Sequence, residues 1–232
     1  NGGNTNTASG ISSSVNGGLA NLATDIYSSV SGGQGNTASG TSSSVNGGFN
    51  NSATGLYATV SGGSNNKALS LASSVSGGQN NQAKTQSYVS VSGGQNNIAS
   101  GLNSSVSGGV LNVASGLNSS VSGGFDNTAS GSTASVSGGT VNTASGLYSS
   151  VSGGLSVNAS GQTSSVSGGW GNAASGIYSS ISGGVNNQAT NSGASVTGGQ
   201  NNTASGIRST VSGGSSRSSL DFYDWRAGSL FE

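Results

Sequence analysis

A pair of glycines recurs every fifteen residues along this chain, at Gly2-Gly3, Gly17-Gly18, Gly32-Gly33 and onward to Gly213-Gly214. The rhythm breaks once, between Gly78 and Gly93, where "AKTQSYVSV" carries one extra residue. A period this short leaves no room for a helical repeat, and helix-forming residues are scarce. It suits one coil of a small β-solenoid, in which each coil buries its apolar side only by stacking on its neighbours.

Each coil divides again into two similar halves. "NTASG" (Asn36 to Gly40) and "SSVNG" (Ser43 to Gly47) share one template: small polar, hydroxyl, apolar, hydroxyl or amide, glycine. The coil therefore reads as two short strands joined by a three-residue and a four-residue turn. Each turn opens at a glycine, which reaches positive φ without a Cβ penalty. Strand alternation then assigns the faces. Val45 and Ser43 point inward, and Ser44 and Asn46 outward. Substitutions within the chain agree. The column two before the valine accepts Ala58, Val89, Ala134 and Ala194, as an interior position would. The column just before the valine keeps a hydroxyl, including Thr59 and Thr210, as an outer face would.

On the other strand the inward pair is asparagine and alanine. Asn36, Asn51, Asn66, Asn81, Asn97, Asn112, Asn127 and Asn142 belong to this column, and Val157 departs from it. Buried amides need partners. Stacked about 4.8 Å apart, they can bond amide to amide or to the backbone of the turns. The column is read as a structural ladder rather than as a sugar or ion site.

The fold expected is all-β, a two-sided parallel β-solenoid of about fourteen 15-residue coils with two short strands each. Residues 1–216 form the repeat domain, roughly 65 Å long at about 4.8 Å per coil. Its interior is thin, so backbone ladders must supply much of the stability. Residues 217–232 break the pattern with five of the ten charges and with Phe222, Tyr223, Trp225 and Phe231. They are expected to form a C-terminal cap or an assembly surface. Ile11, Ile26, Leu56, Leu71, Leu102, Leu117, Leu147, Ile177 and Ile207 follow the first turn. They are expected to turn inward against the core edge, the alternative being an apolar ridge on which neighbouring rods pack.

Composition excludes several functions. Among 232 residues there are five basic and five acidic side chains and no His, Cys, Met or Pro. The balanced charge gives no field for nucleic acid, and no apolar run reaches the about 20 residues of a membrane span. Without His or Cys the usual base and nucleophile pairs are missing. Asp25 and Asp126 are too far apart for paired-carboxylate chemistry, and the Asp-bearing calcium nonapeptide is absent. A non-catalytic protein without metal or cofactor is expected. The chain begins at Asn1 rather than Met, which implies a processed or excised piece and leaves secretion open.

At "SYVSVSGGQNNIASG", from Ser87, the chain resembles the head repeats of trimeric autotransporter adhesins. That resemblance implies a left-handed parallel β-roll, an extracellular or cell-surface location and a trimer. Departures are the fifteen-residue coil, "SVSGG" in place of a second large aliphatic, and the asparagines. The templates N-x-A-x-G and S-x-V-x-G also resemble the repeats of grass ice-recrystallisation inhibitors, with a flat hydroxyl face such as Ser105/Ser107 and Ser120/Ser122. On the opposite face Lys67, Gln82, Lys84 and Ile98 interrupt the hydroxyls. Three functions are thus expected in order: an extracellular structural or adhesive solenoid, an ice-binding solenoid, and a glycan-binding solenoid using aromatics such as Tyr57 and Trp170. The expected partners are other copies of the chain, as a head-to-tail filament or a homo-oligomer such as a trimer, with a host or matrix surface, glycan or ice as ligand.

Overall fold

A computed structural model describes residues 2–227. Every described element is a two-residue parallel strand, and each coil contributes two of them. The chain is a parallel β-solenoid in two compact units, Asn1–Ser115 and Gly116–Glu232. In the first unit, eight strands from Thr7–Ala8 to Val113–Ala114 form one sheet and seven from Ser14–Val15 to Ser105–Val106 the other. In the second, seven strands run from Thr128–Ala129 to Ser218–Ser219, and eight from Ser120–Val121 to Trp225–Arg226. The described residues form fifteen coils where about fourteen were expected. The extra one is built from the tail, whose strands Ser218–Ser219 and Trp225–Arg226 pair in register with Thr203–Ala204 and Thr210–Val211.

Alternation places the side chains as the pattern requires. Ser43 and Val45 are buried while Ser44 is half-buried and Asn46 exposed. Ala38 and Asn36 are buried on the facing strand. The single extra residue does not disturb the register, because Val75 still pairs with Val91 and Ala83 with Ala99. It is absorbed in the turn, where Thr85 takes φ 76° and the Gln86 N–H donates to the Lys84 carbonyl at 3.0 Å.

The interior column before the valine explains its own tolerance. The hydroxyl of Ser28 donates to the Asp25 carbonyl at 2.7 Å, and that of Ser43 accepts from the Gly40 N–H at 3.1 Å. Those of Ser104, Ser119, Ser149, Ser164 and Ser179 are buried without a partner among the described residues. A hydroxyl there adds a desolvation cost, so Ala58, Ala134 and Ala194 stand in the same column without loss.

A third ladder, which alternation could not reveal, follows the glycine pair. Leu19, Gln34, Phe49, Ser64, Gln79, Gln95 and Val110 bridge in parallel in the first unit. Phe125, Thr140, Leu155, Trp170, Val185, Gln200 and Ser215 do the same in the second. The residue after each of these is left-handed, as at Asn50 with φ 52°. That conformation reverses the direction of its N–H. Phe49 donates forward to Gly63, whereas Asn50 donates back to Gln34, each at 2.9 Å.

The turns therefore differ from expectation. In the first turn the left-handed residue is not the glycine but the residue two positions on, such as Ser42, Tyr57 or Tyr148. Asp25, Ser70 and Asn191 can replace that glycine. In the second turn the second glycine of the pair does carry positive φ, +91° at Gly48. A Cβ on Gly48 would also collide with the Gly63 carbonyl oxygen and lie 2.5 Å from Asn51 Nδ2. At Gly47 a Cβ would meet nothing within 4 Å, so nothing in the coil explains why this glycine is equally constant.

The aliphatic turn column does not cap the core. Ile11 is 71% exposed, and Ile26, Leu56, Leu102, Leu117, Leu147 and Ile177 are exposed as well, while Leu71 and Ile207 are half-buried. Each sits between the first turn position and the left-handed residue, and there the chain leaves the sheet with its side chain outward.

Chemical denaturation of single variants checks this account. Gly48→Ala is expected to lose about 3 kcal/mol through backbone strain and collision, whereas Gly47→Ala stays within about 0.5 kcal/mol of the parent. Ser149→Ala is expected to be neutral or to stabilise by about 1 kcal/mol.

Candidate functional site

The asparagine column is the most regular polar constellation in each unit. Asn36 shows the pattern: its Nδ2 donates to the Gly32 carbonyl of its own coil and to the Gly48 carbonyl of the next, both at 2.9 Å. Its Oδ1 accepts the backbone N–H of Asn51 at 2.9 Å. Asn51, Asn66, Asn81 and Asn97 repeat all three bonds. Asn112 lies in the same column and donates to the Gly108 carbonyl. In the second unit Asn127 and Asn142 bind the same turn carbonyls. Of the two bonding modes expected, the turn backbone is the one used; the carboxamides do not bond to one another. All eight side chains are buried. With both amide hydrogens and the carbonyl committed inside the protein, the column has nothing to offer a ligand.

Val157 interrupts this column. Its N–H still donates to Asn142 Oδ1 at 3.1 Å, but its side chain carries no acceptor for the N–H of Asn172. Nearby Gly154 relaxes to φ 109°, against +89° at Gly139. The ladder ends at Arg217, whose N–H donates to Asn202 Oδ1 at 2.9 Å.

Phe222, Tyr223 and Trp225 are each about two-thirds exposed and occupy separate columns of the last described coil. Tyr223 accepts a hydrogen bond from Arg208 Nη1 at 2.7 Å, and Trp225 Nε1 donates to Ser212 Oγ at 2.7 Å. Arg226 pairs with Asp224 at 3.0 Å. Phe231 lies outside the described residues. Among the described residues no group of His, Cys, Asp or Glu could hold a metal ion, and no helix is long and apolar enough to cross a membrane.

Two outer faces remain as candidates. On the valine strands the hydroxyls stand in register, Ser29 beside Ser44 and Ser44 beside Thr59 in the first unit, Ser135 beside Ser150 in the second. At one point they bond along the column, with Ser195 and Thr210 2.9 Å apart. On the alanine strands of the first unit the hydroxyl column gives way to Lys67, Gln82, Ile98 and Val113. Here the surface opens into a groove of about 600 Å³. Asn65, Asn80, Asn96 and Leu111 line one wall and Lys67, Gln82 and Ile98 the other. The wall residues at 65, 80, 96 and 111 are the left-handed turn residues, which that conformation holds clear of the sheet. Sequence reading saw the interruption at Lys67, Gln82 and Ile98 but not its partner wall. The signal was present as "SNNK", "QNNQ" and "QNNI", where a doubled asparagine, of which only the second belongs to the ladder, precedes a lost hydroxyl in three successive coils; the doubling alone recurs at "FNNS", "VNNQ" and "QNNT".

No protein-family model matches the chain, and no curated protein matches it significantly.

The ladder makes a paired prediction for thermal or chemical unfolding. Asn81→Ala strands two turn carbonyls and the Asn97 N–H, and is expected to cost about 3 kcal/mol or more at about 1–3 kcal/mol per unsatisfied group. Val157→Asn restores the missing rung and is expected to stabilise by about 1 kcal/mol or more.

Proposed function

We propose that this chain is a non-catalytic structural and adhesive β-solenoid that works outside the cell, as a fibre subunit or an adhesin head. The observation that carries this reading is the exposed aliphatic residues of the first turn, Ile11, Ile26, Leu56 and Leu102 in the first unit and Leu117, Leu147 and Ile177 in the second. Tyr27, Tyr57, Tyr148 and Tyr178 stand next to them and are exposed. An apolar strip repeated at the coil spacing fits a second copy of itself, because both strips share one period. Such a surface builds a homo-oligomer or a lateral fibre without any specialised residue. The likeness to adhesin head repeats supports the same reading, since those act as trimers.

Ice binding is a second reading, favoured by the in-register hydroxyl face on the valine strands. Serine rather than threonine dominates it, so it lacks most of the methyl groups that order water beside ice.

Sedimentation equilibrium at high protein concentration tests the first reading. Species heavier than the 21.9 kDa chain are expected, and Leu56→Thr with Leu147→Ser is expected to weaken association while keeping the fold, because Thr41 and Ser132 already occupy that column. A monomer at all concentrations, with no fibres by electron microscopy, would sink the self-association. Faceted ice growth or thermal hysteresis in the same sample would install the second reading in its place.

A further inference from the structure

The groove on the alanine strands of the first unit is a place where the outward columns of the repeat depart from its template. The departures converge. The outer hydroxyl column is replaced in four successive coils, by Lys67, Gln82, Ile98 and Val113. The facing turn column holds Asn65, Asn80 and Asn96 in three of the same coils. Lys84 joins them from the outward column after the alanine, where Ser39 and Thr54 stand in other coils. Stacking requires none of this, since Thr37 and Ser52 fill the strand column and Ala20 the turn column in neighbouring coils.

The polar groups of the groove are free to bind. Among the described residues the carboxamides of Asn80 and Asn96 have no partner within the chain, and neither has Lys67 Nζ. Asn65 Nδ2 donates to Ser64 Oγ at 3.0 Å, which leaves its carbonyl available. Lys84 Nζ donates to Gln82 Oε1 at 2.9 Å, which leaves the Gln82 NH₂ available. No carboxylate neutralises the lysines: Asp25, the acidic residue of this unit, accepts from the Ile26 N–H and the Thr41 hydroxyl in the first turn. Ile98 and Leu111 make the far end apolar.

We propose that this groove binds an acidic oligosaccharide of about three sugars. Carboxamides pair with vicinal hydroxyls because each offers a donor and an acceptor. The unpaired ammonium of Lys67 takes the acid group, and the C–H face of a pyranose ring rests on Ile98 and Leu111. The spacing favours sugar over peptide. Carboxamides repeat at about 4.8 Å, the strand spacing, close to the length of one pyranose. An extended peptide presents like groups on one side only every 6–7 Å or so, out of step with the wall. The site would give the adhesive reading its ligand, yet it depends on no residue of the aliphatic strip, so either can fail alone.

Isothermal titration calorimetry on the full chain tests it with three probes: trigalacturonate, a sulfated galactose trisaccharide and neutral galactotriose. Saturable binding is expected for an acidic probe, weakening with salt, and at least about tenfold weaker for the neutral one. Whether trigalacturonate or the sulfated sugar binds tighter identifies the acid as carboxylate or sulfate ester. Lys67→Thr and Asn80→Ala each introduce a residue that the same column already holds in another coil. Both are expected to weaken binding several-fold with unchanged melting temperature. Equal binding of the neutral sugar, no binding of either acidic probe, or undiminished binding by both variants would each overturn the proposal. Sedimentation of the same samples, with and without probe, reports self-association separately.

Discussion

Each interior asparagine joins its own turn to the next coil through one carboxamide, and the rest of the coil is arranged around that joint. Asn36 closes its own turn at Gly32, clasps the following turn at Gly48 and receives the N–H of Asn51. A side chain on Gly48 would strike the next glycine and crowd Asn51 Nδ2. The second glycine and the asparagine are thus one requirement seen from two sides. Val157 shows the dependence in reverse. Where the carboxamide is missing, Gly154 takes a wider φ, and a Cβ placed on it would lie farther from the next glycine carbonyl than at Gly139.

A joint of this kind is needed because the interior contains so little else. Per coil it holds one valine, one alanine and a serine or alanine, too little apolar surface to order fifteen residues by burial alone. Stability comes from repetition: strands, the bridge after the glycine pair and both left-handed turns all bond from coil to coil. Much of the constancy serves stacking, although the first glycine of each pair and the outward hydroxyl before the valine are constant without it. The other outward columns can then vary, and in the first unit they vary together around Lys67 and Asn80.

Most of the architecture was legible in the residues. Repetition is its own alignment, so substitutions along one chain separate interior columns from exterior ones, and alternation assigned Val45, Ser43, Ala38 and Asn36 correctly. Alternation fails where the backbone leaves the strand. Left-handed residues such as Ser42 and Asn50 reverse the local direction of the chain. For that reason the aliphatic column at Leu56 and Leu147 was expected inside and lies outside, and the bridge through Phe49 and Trp170 was missed. The segment from residue 217 looked foreign by composition, yet its backbone continues both sheets, because parallel pairing needs the coil length and not the side chains. Phe222, Tyr223 and Trp225 simply occupy outward columns of that coil.

The sequence by itself determined the coil length, the two strands, the buried columns and the asparagine ladder, because a strict period forces like residues to stack and alternation then decides which face in. Only the tertiary structure decided how the carboxamides bond, where the turn residues point, and that Asn65, Asn80 and Asn96 face Lys67 and Gln82 across a groove. Those outcomes depend on φ at single turn residues and on the offset between successive coils. Neither quantity is written in residue type, since serine, tyrosine, alanine and asparagine all adopt the left-handed turn here.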